Sequence, residues 1–131
     1  MATRRNFSSG ALWEDIVGYS RAVLVGNTLE ISGTVATDKM GVVGMGDFYF
    51  QTKFIFQKID AALKEAGFEM KDVVRTRMYV TDISHWEEVG KAHGEVFKDI
   101  KPATTMIEIS SLIDPDYLVE VEVTAIRPDK S

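Results

Sequence analysis

Residues 118–126, LVEVEVTAI, alternate between apolar and polar side chains over their whole length. Successive side chains of a β-strand point to opposite faces of a sheet, so this stretch would bury its valines and its alanine on one face. Its two glutamates, Glu120 and Glu122, would lie together on the other face. The stretch therefore predicts a strand that separates an apolar core from a polar surface.

Two stretches earlier in the chain share this period of two. Val73 to Thr81 alternates apolar residues with charged or aromatic ones, and Thr104 to Ile109 follows the helix-breaking Pro102. The turn-rich residues 113–116 then lead into the last strand. The C-terminal half of the chain therefore predicts three strands.

A β-hairpin precedes these strands. One run, Ser20 to Val25, alternates apolar and polar residues, and a second run, Thr28 to Ser32, does the same. Gly26-Asn27 lies between them and tolerates the positive φ of a tight turn. The two runs are therefore predicted to pair with each other.

Two amphipathic helices alternate with the strands. Apolar residues recur at spacings of three and four after Asp47 and stop at Gly67, which can take the left-handed conformation at a helix C terminus. Ser84 followed three residues later by Glu87 matches a capping box, and a second helical face runs from there to Pro102. Each of these stretches predicts a helix.

The order ββαβαββ over a single domain, residues 1–131, predicts an α+β fold with two helices on one face of the sheet. The face under the helices would carry Val74, Met78, Val80, Thr105, Ile107, Ile109, Val119, Val121, Val123 and Ala125. The opposite, mixed face would carry Arg75, Arg77, Tyr79, Thr104, Met106, Glu108, Leu118, Glu120, Glu122 and Thr124. Antiparallel sheets commonly leave one face in water, so the mixed face is either solvated or a subunit interface with paired charges.

Composition narrows the classes of function. The formal net charge of -5 and the pI near 5.0 make nucleic acid an unlikely partner, because a nonspecific polyanion binder needs a dominant basic patch. The chain has no cysteine, which excludes a disulfide framework, a thiolate zinc site and a cysteine nucleophile. His85 and His93 lack the i, i+4 spacing of a helical metal pair, so no metal site and no cofactor are expected.

The N-terminal stretch favours a cytoplasmic protein. TRRNF at residues 3–7 resembles the start of a twin-arginine export signal, but acidic residues follow where an export signal needs an apolar run. No window approaches the ~18 apolar residues that a membrane helix requires. We therefore expect no membrane partner.

Six stretches, in order along nearly the whole chain, resemble successive segments of the Rid family, the YjgF-like reactive intermediate deaminases. They are GYSRAV (18–23), ISGTVATD (31–38), QTKFIFQKIDAALKEAG (51–67), VVRTRMYVTDI (73–83), KPATTMIEI (101–109) and LVEVEVTAI (118–126). The resemblance implies a chorismate-mutase-like fold assembled as a homotrimer. It also implies that small-molecule sites lie in the clefts between subunits, which agrees with the mixed face of the sheet.

One position departs from the family members that hydrolyse enamines and imines. In those members the segment matching residues 102–107 begins Pro-Ala-Arg, and the arginine holds the substrate carboxylate. Thr104 stands at that position here and offers one uncharged hydroxyl in place of a planar fork of donors. The chain therefore resembles the arginine-lacking subgroups of the family. Arg77, on the mixed face, is a candidate for the missing cation, or else balances the charge of the glutamates.

The resemblance supplies the other candidate site residues. Glu120 matches the glutamate that orients or activates the attacking water and handles protons as ammonia leaves. Tyr19 matches a pocket-lining tyrosine, and Ser32 and Gly33 match a strand end whose small residues let a ligand approach the backbone. Met106, on the predicted mixed face, is expected to contact the ligand as well.

Three classes of function follow. The first is a hydrolase of the enamine and imine deaminase type, acting on a substrate other than a simple α-imino acid because Thr104 replaces the arginine. The second is a non-catalytic metabolite-binding or regulatory trimer, in which Glu120 would be a surface or ion-paired residue. The third, an endoribonuclease, is least favoured because the chain is acidic and has no convergent histidine pair.

Overall fold

In the computed structural model, which describes residues 3–128, six strands form one twisted sheet. The strands and helices are β1 (Arg4–Phe7), β2 (Ala22–Val25), β3 (Thr28–Val35), β4 (Thr37–Asp38), β5 (Gly41–Val42), α1 (Phe48–Glu65), β6 (Val73–Val80), α2 (Trp86–Phe97), β7 (Ala103–Glu108) and β8 (Val119–Ile126). The order across the sheet is β1-β2-β3-β8-β6-β7, and β4 and β5 form a separate small hairpin. All neighbouring strands of the main sheet are antiparallel except β6 and β7, which are parallel.

Both helices cover the same face of the sheet, which confirms the predicted α+β architecture. The core joins Ile55 and Phe56 of α1, Phe97 of α2, and the valines of β8, all of them at most 2% exposed. The rings of Phe56 and Phe97 meet edge to face with their centroids 5.2 Å apart. The alternation predicted for residues 118–126 is confirmed, because its apolar side is buried and its polar side is only partly covered.

Helix α1 begins and ends as its sequence predicts. The side chain of Asp47 accepts a hydrogen bond of 2.9 Å from the backbone N–H of Phe50, and Gly67 follows the last turn with φ +84°. The helix also positions β8 through the fully buried Gln51. Its Oε1 accepts from the backbone N–H of Leu118 at 2.9 Å, and its Nε2 donates to the carbonyl of Asp116 at 2.9 Å. These two bonds fix the chain just before β8 begins.

The capping box predicted at Ser84 is wrong. Asp82 caps a short 3-10 turn, Ile83–His85, by accepting a 3.0 Å hydrogen bond from the backbone N–H of Ser84. The hydroxyl of Ser84 also donates to Asp82 at 2.7 Å, and no side-chain cap hydrogen bond is made at the start of α2. Helix α2 therefore begins only at Trp86.

The side-chain assignment predicted for β7 is wrong by one residue. The parallel pairing places Thr104 beside Thr76 and Met106 beside Met78, so Thr104 and Met106 face the helices and not the mixed face. Thr105 and Ile107 face the other way, and Ile107 is 45% exposed. Because side chains alternate with a period of two, a shift of one residue exchanges the faces of the whole strand. The segment is apolar on both sides, so its sequence does not set the register.

A second correction concerns the start of β6. The register of β6 on β8 shifts between Val73 and Arg75, which is a bulge. Val73 is therefore the buried residue, at 2% exposed, and Val74, predicted to lie in the core, is 42% exposed.

Two elements were not predicted. Residues 4–7, for which no strand was predicted, form β1, which pairs with β2 and buries Phe7. The hairpin of β4 and β5 lies before α1, where no strand was predicted either. Among the residues described, no helix combines the length and apolar character needed to span a bilayer.

Candidate functional site

Glu120 lies on the polar face of the sheet, in a strand flanked on both sides. Its register partners are Val35 of β3 and Tyr79 of β6. The register of β3 on β8 shifts between Ile31 and Thr34, so β3 bulges beside Glu120. Gly33 lies in this bulge, and a Cβ added to it would lie 2.8 Å from both Cδ and Oε2 of Glu120. The carboxylate thus fills the space that a side chain at residue 33 would need.

Arg21 stabilises this bulge from the residue before β2. Its Nη2 donates a 2.8 Å hydrogen bond to the carbonyl of Gly33, and its buried Nε has no hydrogen-bond partner within residues 3–128. Burial lowers the pKa of Arg21, while Tyr19, Glu14 and Glu120 raise it. A guanidinium remains protonated throughout the physiological range, so Arg21 places a fixed positive charge near the Glu120 carboxylate.

Burial and nearby charges act in opposite directions on the pKa of the Glu120 carboxyl. Burial raises the pKa above the ordinary glutamate value, the neighbouring Glu122 raises it further, and Arg21 lowers it. Because the net shift is upward, the carboxylate is a stronger base than that of an ordinary glutamate. The residue is also only partly covered, so a small molecule can reach it in the single chain.

Lys58 of α1 holds the end of β3 next to this site. Its Nζ donates to the carbonyls of Val35 at 2.8 Å and Thr37 at 3.0 Å. Burial lowers the pKa of Lys58, and the positive charge of Arg21 lowers it further. Because both bonds go to the backbone, the lysine fixes the strand that carries Gly33 and Val35.

Tyr19 and Ser32 share a separate hollow of about 490 Å³ on the side of β1 and β2. Tyr19 is 40% exposed, and the backbone N–H of Ser32 donates to the carbonyl of Arg21 at 3.0 Å. The hydroxyl of Ser32 donates to the carbonyl of Ser20 at 2.6 Å, so its proton is already used. Glu120 does not line this hollow.

Arg77 is engaged with the second glutamate of β8. Its Nε lies 3.9 Å from Oε1 of Glu122, and Tyr79 donates a 2.7 Å hydrogen bond to the same oxygen. Its Nη1 donates to Thr124 at 3.5 Å. These contacts are those of a residue that balances the charge of Glu122. Since Thr104 lies on the opposite face, Arg77 cannot occupy the place of an arginine at residue 104 of its own chain.

Thr104 lies in a cluster of polar side chains beneath α2. Its Oγ1 is 2.9 Å from Oγ1 of Thr76 and 3.4 Å from Nε2 of His93. Oγ1 of Thr76 is also 2.9 Å from Nε2 of His93. Met106 follows on the same face, partly buried against the core. The candidate site residues therefore fall into two groups on opposite faces of the sheet, with Glu120 in one and Thr104 in the other.

Sequence reasoning did not assign functional roles to Arg21 or His93. Arg21 belongs to the GYSRAV segment. The sequence feature that could have singled it out is a lone arginine in a run of small and apolar residues. His93 lies on the apolar stripe of α2 and is partly buried between Phe56 and Phe97. Its contact with Thr104 depends on the parallel pairing of β7, which the sequence does not reveal. Within residues 3–128, no three histidine or acidic side chains are grouped as metal ligands would be.

Replacing Gly33 with alanine is expected to push the Glu120 carboxyl group aside, and because that group is the end of a flexible side chain, the destabilisation should be about 0.5–1.5 kcal/mol, the cost of an unfavourable rotamer. The φ of Gly33 is outside the left-handed region, so the new Cβ would act through its contact with Glu120 and not through backbone strain. The free energy of unfolding in denaturant measures the loss.

A double-mutant cycle isolates this contact. Gly33→Ala should cost much less in a Glu120→Ala background, where no carboxyl group remains to be displaced. Gly90→Ala is the matched control, because a Cβ there meets nothing within 4 Å and alanine favours a helix by up to about 1 kcal/mol. An equal cost of Gly33→Ala in both backgrounds would show that Glu120 is not the cause.

Comparison with known proteins defines the class of this fold. Residues 11–127 match the sequence model of the family described as Endoribonuclease L-PSP. The fold superposes on the crystal structure of Rv2704 from Mycobacterium tuberculosis, a member of the YjgF/YER057c/UK114 family, with a TM-score of 0.86 and 43% identity over 95% of this chain and 100% of that one. It also superposes on a protein of unknown function of the Rid family from Yersinia pestis, with a TM-score of 0.82 and 28% identity over 95% of this chain and 100% of that one.

Sequence relatives agree with the structural ones. An uncharacterized protein of Streptomyces coelicolor is 37% identical over 94% of this chain and 92% of its own length. A RutC family protein of Pyrococcus abyssi is 34% identical over 83% of this chain and 86% of its own length. The chain therefore belongs to the YjgF-like Rid family.

Proposed function

We propose that the chain is a small-molecule hydrolase of the enamine and imine deaminase type that acts in the cytoplasm without a cofactor. The observation that carries the proposal is Glu120, a partly buried carboxyl with a raised pKa beside the side-chain-free Gly33. Membership in the Rid family supports it. The proposed substrate is an imine or enamine other than a simple α-imino acid, because residue 104 offers no cation to a carboxylate.

The chemistry requires a group that takes a proton and later gives it back. As the oxygen of water bonds to the imine carbon, Glu120 accepts a proton from that water, and the imine nitrogen gains a proton to give a carbinolamine. The carbinolamine hydroxyl then gives up its proton, Glu120 delivers a proton to the amino nitrogen, the C–N bond breaks, ammonia leaves and the carbonyl product remains. A carboxyl with a raised pKa suits both steps, because its carboxylate is a stronger base than that of an ordinary glutamate and its acid form can return the proton.

Two chains are needed to bring both groups of residues to one ligand. Glu120 lies on the polar face of the sheet and Thr104 on the helix face, so the sheet itself separates them within a subunit. A neighbouring subunit that docks on the polar face would bring its own Thr104 edge to Glu120. We therefore propose a homotrimer in which each site takes Glu120 and Gly33 from one subunit and Thr104 from the next.

Mixed trimers test this division of the site. Glu120→Gln removes the proton acceptor of one half, and Thr104→Trp fills the other half. Each variant alone should release no ammonia. Trimers refolded from equal amounts of both variants should regain about a quarter of the wild-type activity, because each half of a site is intact in about half of the cases.

The control is a mixture of two variants damaged in the same half, Glu120→Gln and Glu120→Ala, which should regain nothing. Native mass spectrometry verifies that subunits have exchanged. If exchanged trimers of the first pair stay inactive, the shared-site model is wrong.

The second candidate function is a non-catalytic metabolite-binding trimer. The threonine at position 104 favours it, because an arginine-free site holds a carboxylate less firmly. Ligand binding to the wild type without ammonia release would support it. An endoribonuclease, the activity named in the description of the family model, is disfavoured by the acidic net charge of -5.

A further inference from the structure

Arg21 lies on the polar face of the sheet, beside the bulge of β3. Ala22, the first residue of β2, is buried in the core, so Arg21, one residue earlier, points to the opposite face. The backbone N–H of Ser32 donates to the carbonyl of Arg21 at 3.0 Å, which places Arg21 next to the bulge. The side chain of Arg21 therefore lies on the face that also carries Glu120.

The guanidinium of Arg21 keeps most of its N–H donors free. Nη2 donates to the carbonyl of Gly33 at 2.8 Å, and this is the one side-chain hydrogen bond that Arg21 makes within residues 3–128. Nε is buried without a partner, and Nη1 also has none but is not enclosed. A buried unpaired donor is costly, so this arginine is suited to a contact that a ligand completes.

The acidic side chains around Arg21 are bound to other groups. Glu14 accepts a hydrogen bond of 3.0 Å from the backbone N–H of Ser9. Glu122 lies 3.9 Å from Nε of Arg77, on the same polar face. None of the ion pairs found within residues 3–128 includes Arg21. Its positive charge is therefore not neutralised by a direct contact in the single chain.

Arg21 and Glu120 approach the same residue without touching each other. Arg21 binds the carbonyl of Gly33, while a Cβ on Gly33 would lie 2.8 Å from Oε2 of Glu120. The bond to the carbonyl holds the guanidinium beyond ion-pair distance from the carboxylate. Each group therefore keeps its own bonding capacity, a cation for an anionic oxygen and a carboxylate for water.

We propose that Arg21 is the anion-binding group of this chain, and that its guanidinium holds a carboxylate of the substrate on the polar face beside Glu120. An arginine is the side chain best suited to hold a carboxylate, because its planar donors match both oxygens. The inference rests on the proposed function for turnover, but not for binding.

The origin of this cation defines the class of substrate. Arg21 reaches the ligand from the subunit that carries Glu120, whereas in the proposed trimer residue 104 approaches from the next subunit. The carboxylate that Arg21 holds is therefore not in the place of the α-carboxylate of a simple imino acid. The substrate class is an acidic imine or enamine whose carboxylate lies at another position.

Butanoate and butanamide, which differ in charge but hardly in shape, test the proposal in the assembled protein. The chain has six arginines, and isotope labelling of their Nε atoms makes Arg21 observable, because its buried N–H is shielded from exchange with water. Arg21→Lys lacks this signal and so assigns it. We expect butanoate to shift it with a dissociation constant about tenfold lower than that of butanamide, a modest preference because Glu120 and Glu122 repel an anion.

Variants assign the preference to one side chain, with calorimetry as the measure of binding. Arg21→Gln should bring the two dissociation constants together. Arg77→Gln is the matched control, which removes the same charge from the same face and should preserve the preference. A preference that survives Arg21→Gln but is lost in Arg77→Gln would overturn the proposal. Equal binding of both probes to the wild type would overturn it as well.

Arg21→Lys guards against a loss of folding in Arg21→Gln. Lysine keeps the positive charge and can donate to the carbonyl of Gly33, so this variant should retain part of the preference for butanoate. Thermal unfolding verifies that each variant is folded. A folded Arg21→Lys that binds the two probes equally would show that the charge of Arg21 is not what selects the carboxylate.

The same titrations separate this inference from the proposed hydrolysis. Glu120→Gln removes a negative charge near Arg21, so it should lower the dissociation constant of butanoate while it abolishes ammonia release. Carboxylate-selective binding at Arg21 without ammonia release from any imine would uphold the inference and refute the hydrolase. Ammonia release with no carboxylate preference would do the reverse.

Discussion

Glu120→Gln is expected to reduce ammonia release by about 10²- to 10⁴-fold, the contribution that a positioned acid or base usually makes. Glutamine keeps the shape of the side chain beside Gly33 but cannot accept a proton from water. The rate is to be measured with the imine that the wild type hydrolyses fastest. Sedimentation equilibrium of the same variant should show the same assembly as the wild type, because the substitution removes charge without adding bulk.

Glu122→Gln is the matched control for this prediction. Glu122 lies on the same face two residues away and contacts Arg77 and Tyr79. The substitution Glu122→Gln should therefore lower the rate of ammonia release by less than about tenfold. If Glu120→Gln kept full activity, Glu120 would be a structural residue and the second candidate function would take its place.

The pH dependence gives a further check on the same variant pair. The carboxylate form of Glu120 is the base, so the rate should fall as the pH drops through its raised pKa. Glu122 raises that pKa, and its removal in Glu122→Gln should move the acid limb of the profile to lower pH.

Thr104→Arg is expected to raise kcat/KM for 2-iminopropanoate by roughly tenfold to more than a hundredfold, since a hydrogen bond to a charged group is worth about 1.5–3 kcal/mol. The new guanidinium would extend from β7 on the side of Thr76 and supply the planar fork of donors that the Thr104 hydroxyl cannot offer to a carboxylate. Ammonia release, coupled to an amino-acid oxidase that generates the imine, measures the gain.

Ile107→Arg is the matched control, because it places the same charge on the same strand but on the opposite face. It should give no gain. Arg77 lies on the opposite face of its own chain, so it does not block a new arginine at residue 104 of the same subunit. Wild-type activity equal to that of an arginine-bearing relative would show that the carboxylate-anchor explanation does not hold for this chain.

The sequence was sufficient to predict a strand or a helix where its pattern of apolar and polar residues was regular. The strict alternation of residues 118–126 and the capped, periodic helix between Asp47 and Gly67 are both present in the structure. The side-chain direction of β7 could not be predicted, because Met106 and Ile107 make the two sides of that strand equally apolar. Only its parallel pairing with β6 distinguishes them, and pairing between strands separated by a helix is a tertiary property.

Some residues of the candidate site could be predicted from the sequence, and others could not. Glu120 and Gly33 were identified by family resemblance, and the structure adds the reason they occur together. The contacts of Thr104 with Thr76 and His93 were not predictable, because three residues far apart in sequence meet only after β7 has paired. Arg21 was overlooked because its one strong contact is to a backbone carbonyl, which no side-chain pattern records.

The close approach of Gly33 to Glu120 has a consequence for how sequences of this fold can diverge. While the glutamate is present, a side chain at the glycine position displaces its carboxyl group, and once the glutamate is lost that restriction disappears. Mutations should therefore accumulate at the two positions in a fixed order, with the acid lost first and the glycine afterwards. Among arginine-lacking homologues, a larger residue at the glycine position would then mark a lineage that had already given up the carboxylate.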